Sequence, residues 1–330
     1  MKNVAVLGAT GLVGEEVIKI LEQRNFPVKE LFLFASGRSE GQTRFFKDNE
    51  IEISNDLDPL IKKANIVFGC LDADLSREII PQFKGKGVVI DNSNAYRMDP
   101  EVPLIVPEVN PEKARDHKGI IANPNCSTIQ MVVALYPLHK ARKIKRIFVA
   151  TYQSVSGYGR DAITELKYET ECMAMQQMVD KYEGSVFAYP IANNVIPQIG
   201  SFDELGYTTE EMKMVNETRK IFDDETIQVT AICVRIPVMI GHSEAVSVDF
   251  EQPITPDEAK QMLKDAPGIK LFETDDKYPM PLFSVNRDLV FIGRIRKDLV
   301  FENGLAMWIV ADNIRKGAAL NAVQIGELLV

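Results

Sequence analysis

Cysteine and histidine are scarce in this 330-residue chain, with four Cys and three His. Cys70, Cys126, Cys172 and Cys233 are too few for a disulfide scaffold at this length. No two of them form a CxxC pair, so zinc-ribbon and thioredoxin readings fail. His117, His139 and His242 lie far apart with no HExxH, and no metal site is expected. Positive charge is also in deficit: 38 Lys and Arg stand against 47 Asp and Glu, a net charge of −9. With an isoelectric point of about 5.1, that balance argues against nucleic acid as a partner. No apolar run approaches the roughly 18 residues of a membrane span. Glu15 and Glu16 interrupt the apolar start at residues 4–7, and no small-x-small cleavage site follows. A cytoplasmic chain without membrane or nucleic-acid partners is expected. If it binds anions, its positive charge must be concentrated locally.

At ~150 residues per domain the length suggests two domains. In the first third, short apolar runs at residues 4–7, 31–34, 66–68 and 88–90 alternate with helix-like segments at 15–23, 59–63 and 74–83. Strands spaced by helices predict a doubly wound parallel sheet of Rossmann type. A strand at 120–123 leads into the apolar segment 129–138. From about residue 147 the strands lengthen (147–152, 228–235, 245–250, 289–296, 306–311), with helices at 210–221 and 256–265 between them. This predicts an α+β second domain on a largely antiparallel sheet. A last helix is expected over 313–329.

Gly8-Ala9-Thr10-Gly11-Leu12-Val13-Gly14 directly follows the first strand and opens the first helix. Glycines there permit a tight turn and close approach of backbone to a pyrophosphate, and the helix N-terminus offers free N–H groups. A close helix–strand contact needing small residues is the competing explanation. An NAD site usually places Asp or Glu about 20 residues beyond the glycines. Here the segment reads Phe34-Ala35-Ser36-Gly37-Arg38-Ser39, an arginine and hydroxyls without a carboxylate. This suits a 2′-phosphate, hence NADP, although a solvated polar turn would look the same.

Cys126 follows a strand and starts a predicted helix, a position that lowers a thiol pKa. Asn123, Asn125, Ser127 and Thr128 give it a polar setting, whereas Cys70 and Cys233 sit in apolar strands and Cys172 lies among carboxylates. His242, after Gly241 at a strand end, is the acid/base candidate, with a near-neutral pKa suited to proton exchange. His117 and His139, among Lys and Arg, read as solvated surface residues. Tyr136 and Lys140 match the YxxxK spacing of short-chain dehydrogenases, but Pro137 disfavours a helical Tyr136, so the match is read as accidental.

Together these motifs resemble the aspartate-β-semialdehyde dehydrogenase family over nearly the whole chain. The resemblance is carried by the Gly8–Gly14 loop, Asn123-Pro124-Asn125-Cys126-Ser127-Thr128, Gln153-Ser154-Val155-Ser156-Gly157, Arg235-Ile236-Pro237 with Gly241-His242-Ser243-Glu244, and Asp312-Asn313-Ile314-Arg315-Lys316-Gly317. It implies NADPH-dependent reduction of 4-phospho-L-aspartate to aspartate semialdehyde and phosphate, in lysine, threonine, methionine and isoleucine synthesis. Cys126 becomes the nucleophile that forms an acyl-thioester, His242 the acid/base and Gln153 the group that orients substrate. Arg235 grips the substrate carboxylate, Glu210 its ammonium, and Arg97 and Lys213 its phosphate. Without the resemblance, Arg97, Glu210 and Lys213 read as ordinary surface charge. The implied cofactor contacts are Gly8, Thr10, Gly11, Leu12, Val13, Arg38, Ser39, Ser156, Gly157 and Asn313.

The resemblance also implies an NADP-binding domain over 1–125 completed by the helix 313–330. A catalytic and dimerisation domain then covers 126–312, in a homodimer or homotetramer. Arg38, Arg97, Lys213 and Arg235 answer the local need for positive charge. Tyr158 stands where many members have a small residue, and residues 170–183 support no assignment. The rival readings are N-acetyl-γ-glutamyl-phosphate reductase, whose substrate would have no use for Glu210, and a non-catalytic NADPH-binding paralogue.

Overall fold

The computed structural model describes residues 1–179, 184–274 and 276–330. Residues 180–183, the end of the unassigned stretch 170–183, lie outside the described residues. The chain forms two compact units, Met1–Asn125 with Gly317–Val330, and Cys126–Lys316.

The first unit runs β1 (Lys2–Leu7), α1 (Leu12–Gln23), β2 (Val28–Phe34), β3 (Thr43–Phe46), β4 (Asn49–Ser54), α2 (Asp58–Lys63), β5 (Ile66–Gly69), α3 (Ala73–Ile79), β6 (Val88–Asp91) and β7 (Ile120–Ala122). Its sheet has the order β3-β4-β2-β1-β5-β6-β7 and is parallel except for β3 against β4. Central strands buried on both faces need continuous apolar runs, and β1 shows why. Val4 and Val6 enter one core cluster with Val17, Leu21 and Phe68, while Ala5 and Leu7 enter another with Leu60, Ile79 and Phe83. The chain leaves β1 for β2 on one side and later for β5 on the other. The glycine loop therefore sits at the topological switch point, where open α/β sheets bind ligands.

The hairpin β3–β4 was not expected. Its turn is Lys47-Asp48, both left-handed (φ 47° and 62°). Two-residue hairpins favour such turns, but with Asn-Gly or Asp-Gly, so the sequence gives no warning of this one.

The second unit comprises α4 (Cys126–Arg142), β8 (Ile144–Gln153), α5 (Arg160–Ala174), α6 (Thr209–Phe222), β9 (Gln228–Arg235), β10 (His242–Phe250), α7 (Pro256–Lys264), β11 (Ile269–Leu271), the short α8 (Pro281–Ser284), β12 (Val290–Lys297) and β13 (Gly304–Ala311). Its sheet, β11-β12-β13-β10-β8-β9, is mixed, because the outer pairs β11/β12 and β8/β9 are parallel and the three central pairs antiparallel. In β8, Ile147, Val149, Thr151 and Gln153 are buried, whereas Phe148 (45% exposed) and Tyr152 (37%) face solvent. That period-2 alternation leaves one face for α4, α6 and α7.

One expectation fails in α4. The helix runs through Tyr136 and Pro137 to Arg142, although Pro137 lacks a backbone donor. Tyr136 is helical and in register with Lys140, but its ring packs on Phe222 (centroids 5.9 Å apart), which occupies it structurally. The segment expected as one helix over 313–329 is instead a π-helical turn, Arg315–Ala319, followed by α9 (Leu320–Glu327). Leu320, Val323 and Ile325 enter the core of the first unit, and at the surface of that unit Arg24 pairs with Glu327 at 2.7 Å. Among the described residues no helix is long and apolar enough to cross a membrane.

Candidate active site

In the first unit the loop after β1 is built from backbone. Gly8 has φ +79°, and a Cβ there would lie 2.3 Å from the Cys70 carbonyl oxygen. A Cβ on Gly14 would lie 2.1 Å from the Gly8 oxygen. Both are contacts that only glycine permits. Gly11 caps α1 without a side-chain hydrogen bond, so the first-turn N–H groups around Leu12 and Val13 are left for an anion. Ser39 Oγ donates to Thr10 Oγ1 (3.4 Å), joining the turn after β2 to this loop. Arg38 is exposed in a 3-10 turn, Gly37–Ser39. A glycine cradle, an open helix N-terminus and an arginine without a carboxylate fit a dinucleotide bearing a 2′-phosphate. Also in this unit, Arg97 is buried and its Nη2 donates to the Asn92 carbonyl (2.8 Å).

In the second unit, sheet register sets three of the candidate residues in a row. Gln153 ends β8 directly opposite Arg235 at the end of β9, and His242 begins β10 one register step away. All three are buried. Gln153 Nε2 donates to Glu210 Oε1 (3.3 Å), and Lys213 Nζ donates to Glu210 Oε2 (2.9 Å). The two charged residues of α6 assigned to ammonium and phosphate therefore pair with each other, as i,i+3 spacing on a helix allows. Cys126 is the first residue of α4, partly exposed, and its thiol interacts electrostatically with the Arg235 guanidinium.

The His242 ring is held by its back nitrogen. Nδ1 accepts from the Ser154 backbone N–H (3.0 Å), and Ser154 Oγ lies 3.0 Å from the same atom. An acceptor Nδ1 puts the proton of the neutral ring on Nε2, which has no protein partner. Asn313 anchors the assembly: its Oδ1 accepts from Ser154 Oγ (3.0 Å), Ser156 Oγ (3.2 Å) and Gly241 N–H (2.8 Å). The near-neutral pKa expected of His242 is corrected here. Complete burial, helped by the positive charge of Arg235 and only partly offset by the Glu210 carboxylate, lowers it to about 3.

Arg235 exposes a contact that sequence reasoning missed. Its guanidinium lies over the Tyr158 ring, 4.7 Å from the centroid, and Nη1 donates to the Ser154 carbonyl at 2.5 Å. Tyr158 is fixed in turn by an edge contact with Phe187 (5.6 Å) and by its hydroxyl, which accepts from Gly200 N–H (3.2 Å). A Cβ on Gly157 would meet Arg235 Nη1 at 2.8 Å, so this glycine leaves room for the guanidinium. The only sequence signal for Tyr158 was an unusual bulky residue in a glycine loop.

The remaining candidates separate from the site. His139 is not a solvated residue: it stacks on Phe222 at 4.7 Å, accepts from Ile144 N–H, and is pushed down in pKa by burial. His117 Nδ1 accepts from Gly119 N–H (3.1 Å). Burial raises the Cys70 and Cys233 thiols far above the ordinary value, and Cys172 is buried in α5.

Two family models match, semialdehyde dehydrogenase NAD binding domain over residues 3–117 and semialdehyde dehydrogenase dimerisation domain over 135–316. The chain is 54% identical to an aspartate-semialdehyde dehydrogenase of Aquifex aeolicus, covering 99% of this chain and 98% of that one. Among solved structures it resembles aspartate semialdehyde dehydrogenase II from Vibrio cholerae complexed with ASA (TM-score 0.97, 45% identity, covering 100% of this chain and 98% of that one). It also resembles the enzyme with NADP from Candida albicans (TM-score 0.75, 26% identity, covering 100% and 98%). The chain belongs to the aspartate-semialdehyde dehydrogenase family.

Proposed function

We infer that the chain is an oxidoreductase that reduces 4-phospho-L-aspartate with NADPH to L-aspartate 4-semialdehyde and phosphate, reversibly, in lysine, threonine, methionine and isoleucine synthesis. The observation that carries this reading is the buried row Gln153, Arg235 and His242, in the same unit as the helix that begins with Cys126. The thiolate of Cys126 attacks the acyl carbon, the carbon–oxygen bond to phosphate breaks, and an acyl-thioester remains on sulfur. The Gly8–Gly14 loop, Arg38 and Ser39 would hold NADPH, which would supply the hydride that reduces the thioester.

His242 Nε2–H donates to the anion that forms in the site, first sulfur and then the thiohemiacetal oxygen. Negative charge beside the ring raises its depressed pKa and brings it back toward proton exchange. Gln153 orients the acyl group. Arg235, planar and braced by Tyr158, presents a fork that matches a carboxylate bidentately. Glu210 takes the substrate ammonium in exchange for Lys213, which is released to phosphate.

A homodimer is formed through the outer face of the mixed sheet, in the part of the chain that matches a dimerisation domain. Phe148, Tyr152 and Ile232 leave apolar surface there. Sedimentation equilibrium separates the dimer from a tetramer, and a cytoplasmic location suits soluble substrates of this kind.

The deciding assay is phosphate-dependent NADPH formation from aspartate semialdehyde and NADP+, wild type beside Cys126→Ala. A signal that needs phosphate and disappears in the variant is expected. Activity only on the N-acetyl-γ-glutamyl substrate would move the chain to that reductase class. Cofactor binding without turnover on either would make it a non-catalytic binder.

A further inference from the structure

Behind the reactive row lies a second row that the chemistry above does not use. On the same sheet face, two residues along each strand, Glu244 of β10 stands opposite Thr151 of β8, which stands opposite Cys233 of β9. Glu244 has no solvent exposure, and neither of its carboxyl oxygens has a hydrogen-bond partner. The side chain that faces it is Gln130 of α4, also fully buried, with neither its amide nitrogen nor its amide oxygen partnered. Four orphaned polar atoms on two adjacent buried side chains are an unusual arrangement, because such groups are almost always satisfied.

The donor inventory resolves it. A carboxylate only accepts, so it can take the Gln130 N–H but leaves the Gln130 oxygen without a donor. A carboxylic acid donates to that oxygen and accepts from that nitrogen, satisfying all four atoms with two bonds.

We propose that Glu244 is a positioning residue, a neutral carboxylic acid paired with the Gln130 amide, which locks the nucleophile helix to the acid/base strand. Gln130 is one helical turn beyond Cys126, and Glu244 is two residues beyond His242 on the same face of β10. The pair therefore fixes the spacing between sulfur and imidazole while placing no charge beside either.

The charged and titratable groups around it agree. Glu211 of α6 is held by the backbone N–H groups of Cys233 and Thr208. Glu210 is paired with Lys213, Arg235 donates to the Ser154 carbonyl, and His242 is neutral. None supplies a cation to a Glu244 carboxylate, and burial drives the carboxyl well above its usual range.

The inference rests on the assignment of Cys126 and His242, so its test includes a signal independent of turnover. In the infrared difference spectrum, wild type minus Glu244→Gln at neutral pH, the carbonyl band of a protonated carboxylic acid is expected. Its absence would overturn the neutral state. Glu244→Gln keeps two bonds with Gln130 and should retain kcat within about twofold. Glu244→Leu should lose kcat by roughly 10- to 100-fold with KM little changed, as a misplaced reacting group does, and should slow alkylation of Cys126 by iodoacetamide.

The exchange Gln130→Glu with Glu244→Gln restores both if the pair matters, which also guards against a Leu variant that folds poorly. Full activity in Glu244→Leu, or equal losses in Glu244→Gln and Glu244→Leu, would overturn the clamp. Failure of the Cys126 assignment would show separately, as turnover surviving in Cys126→Ala with the infrared band intact.

Discussion

The two units build their sites from different material. The first uses backbone: a left-handed Gly8, a Gly14 tight against a carbonyl, and an uncapped helix start. Its charged candidate, Arg38, stays exposed. The second offers buried side chains: Gln153, Arg235, His242 and Glu244 lie inside, and the pKa values of the last three are shifted by what surrounds them. A backbone site tolerates no added atom but is nearly indifferent to pH. A side-chain site tolerates isosteres but responds to charge.

The largest expected effect follows from the first half of that contrast. Gly14→Val pushes a side chain into the Gly8 carbonyl, and NADPH binding should be lost, while Cys126 in the other unit still reacts with iodoacetamide. Retained NADPH affinity, measured by fluorescence titration, would show that the glycine serves only packing.

Arg235→Lys tests the second half. Lysine keeps the charge but loses the planar fork and the stack on Tyr158, so KM for aspartate semialdehyde should rise roughly 10- to 100-fold, the worth of about 1.5–3 kcal/mol in a charged hydrogen bond. An unchanged KM would limit Arg235 to a point charge.

Stability against pH separates two buried groups of opposite sign. His242 has a folded pKa near 3, below the ordinary 6.5; its contribution is full above pH 6.5 and fades as pH falls toward 3. Glu244 has a raised folded pKa; its contribution is full below the ordinary carboxyl range and fades as pH rises above it. Within the overlap the two slopes offset each other. Replacing Glu244 by Gln removes one of them, so the stability of Glu244→Gln relative to wild type should grow with pH by about 1.4 kcal/mol per unit above about pH 4.5. Urea midpoints across that range give the slope, and a flat difference would mean that the folded carboxyl ionises normally.

The smallest effect belongs to exposed charge. Arg38→Ala should weaken NADPH about tenfold and NADH hardly at all, since only NADPH carries the 2′-phosphate, and the exposed contact is screened by salt. Equal losses for both cofactors would remove Arg38 from the choice between them.

Legibility in the sequence follows the same division. The glycine loop could be read because backbone constraints leave a residue-type signature, and the long strands β9 and β10 because valine, isoleucine and other strand-forming residues recur along them. The β3–β4 hairpin could not, because Lys47-Asp48 adopts a turn that its residue types do not advertise. Tyr136 was misjudged because packing against Phe222 holds a helix that Pro137 alone would disfavour. His139 was misjudged for a similar reason: lysines beside it in sequence say nothing of the Phe222 ring that stacks on it.

By itself, the sequence determined the two-part α/β organisation and the glycine loop and singled out Cys126 and His242 as candidates, while Gln153 and Arg235 entered through the family resemblance. Only the tertiary structure decided their protonation and bracing. The neutral His242 held by Ser154, the Tyr158 stack under Arg235 and the Glu244–Gln130 pair depend on burial and on partners between 77 and 114 positions away in the chain. Desolvation and contact are properties of the folded interior, and no local pattern of residues encodes them.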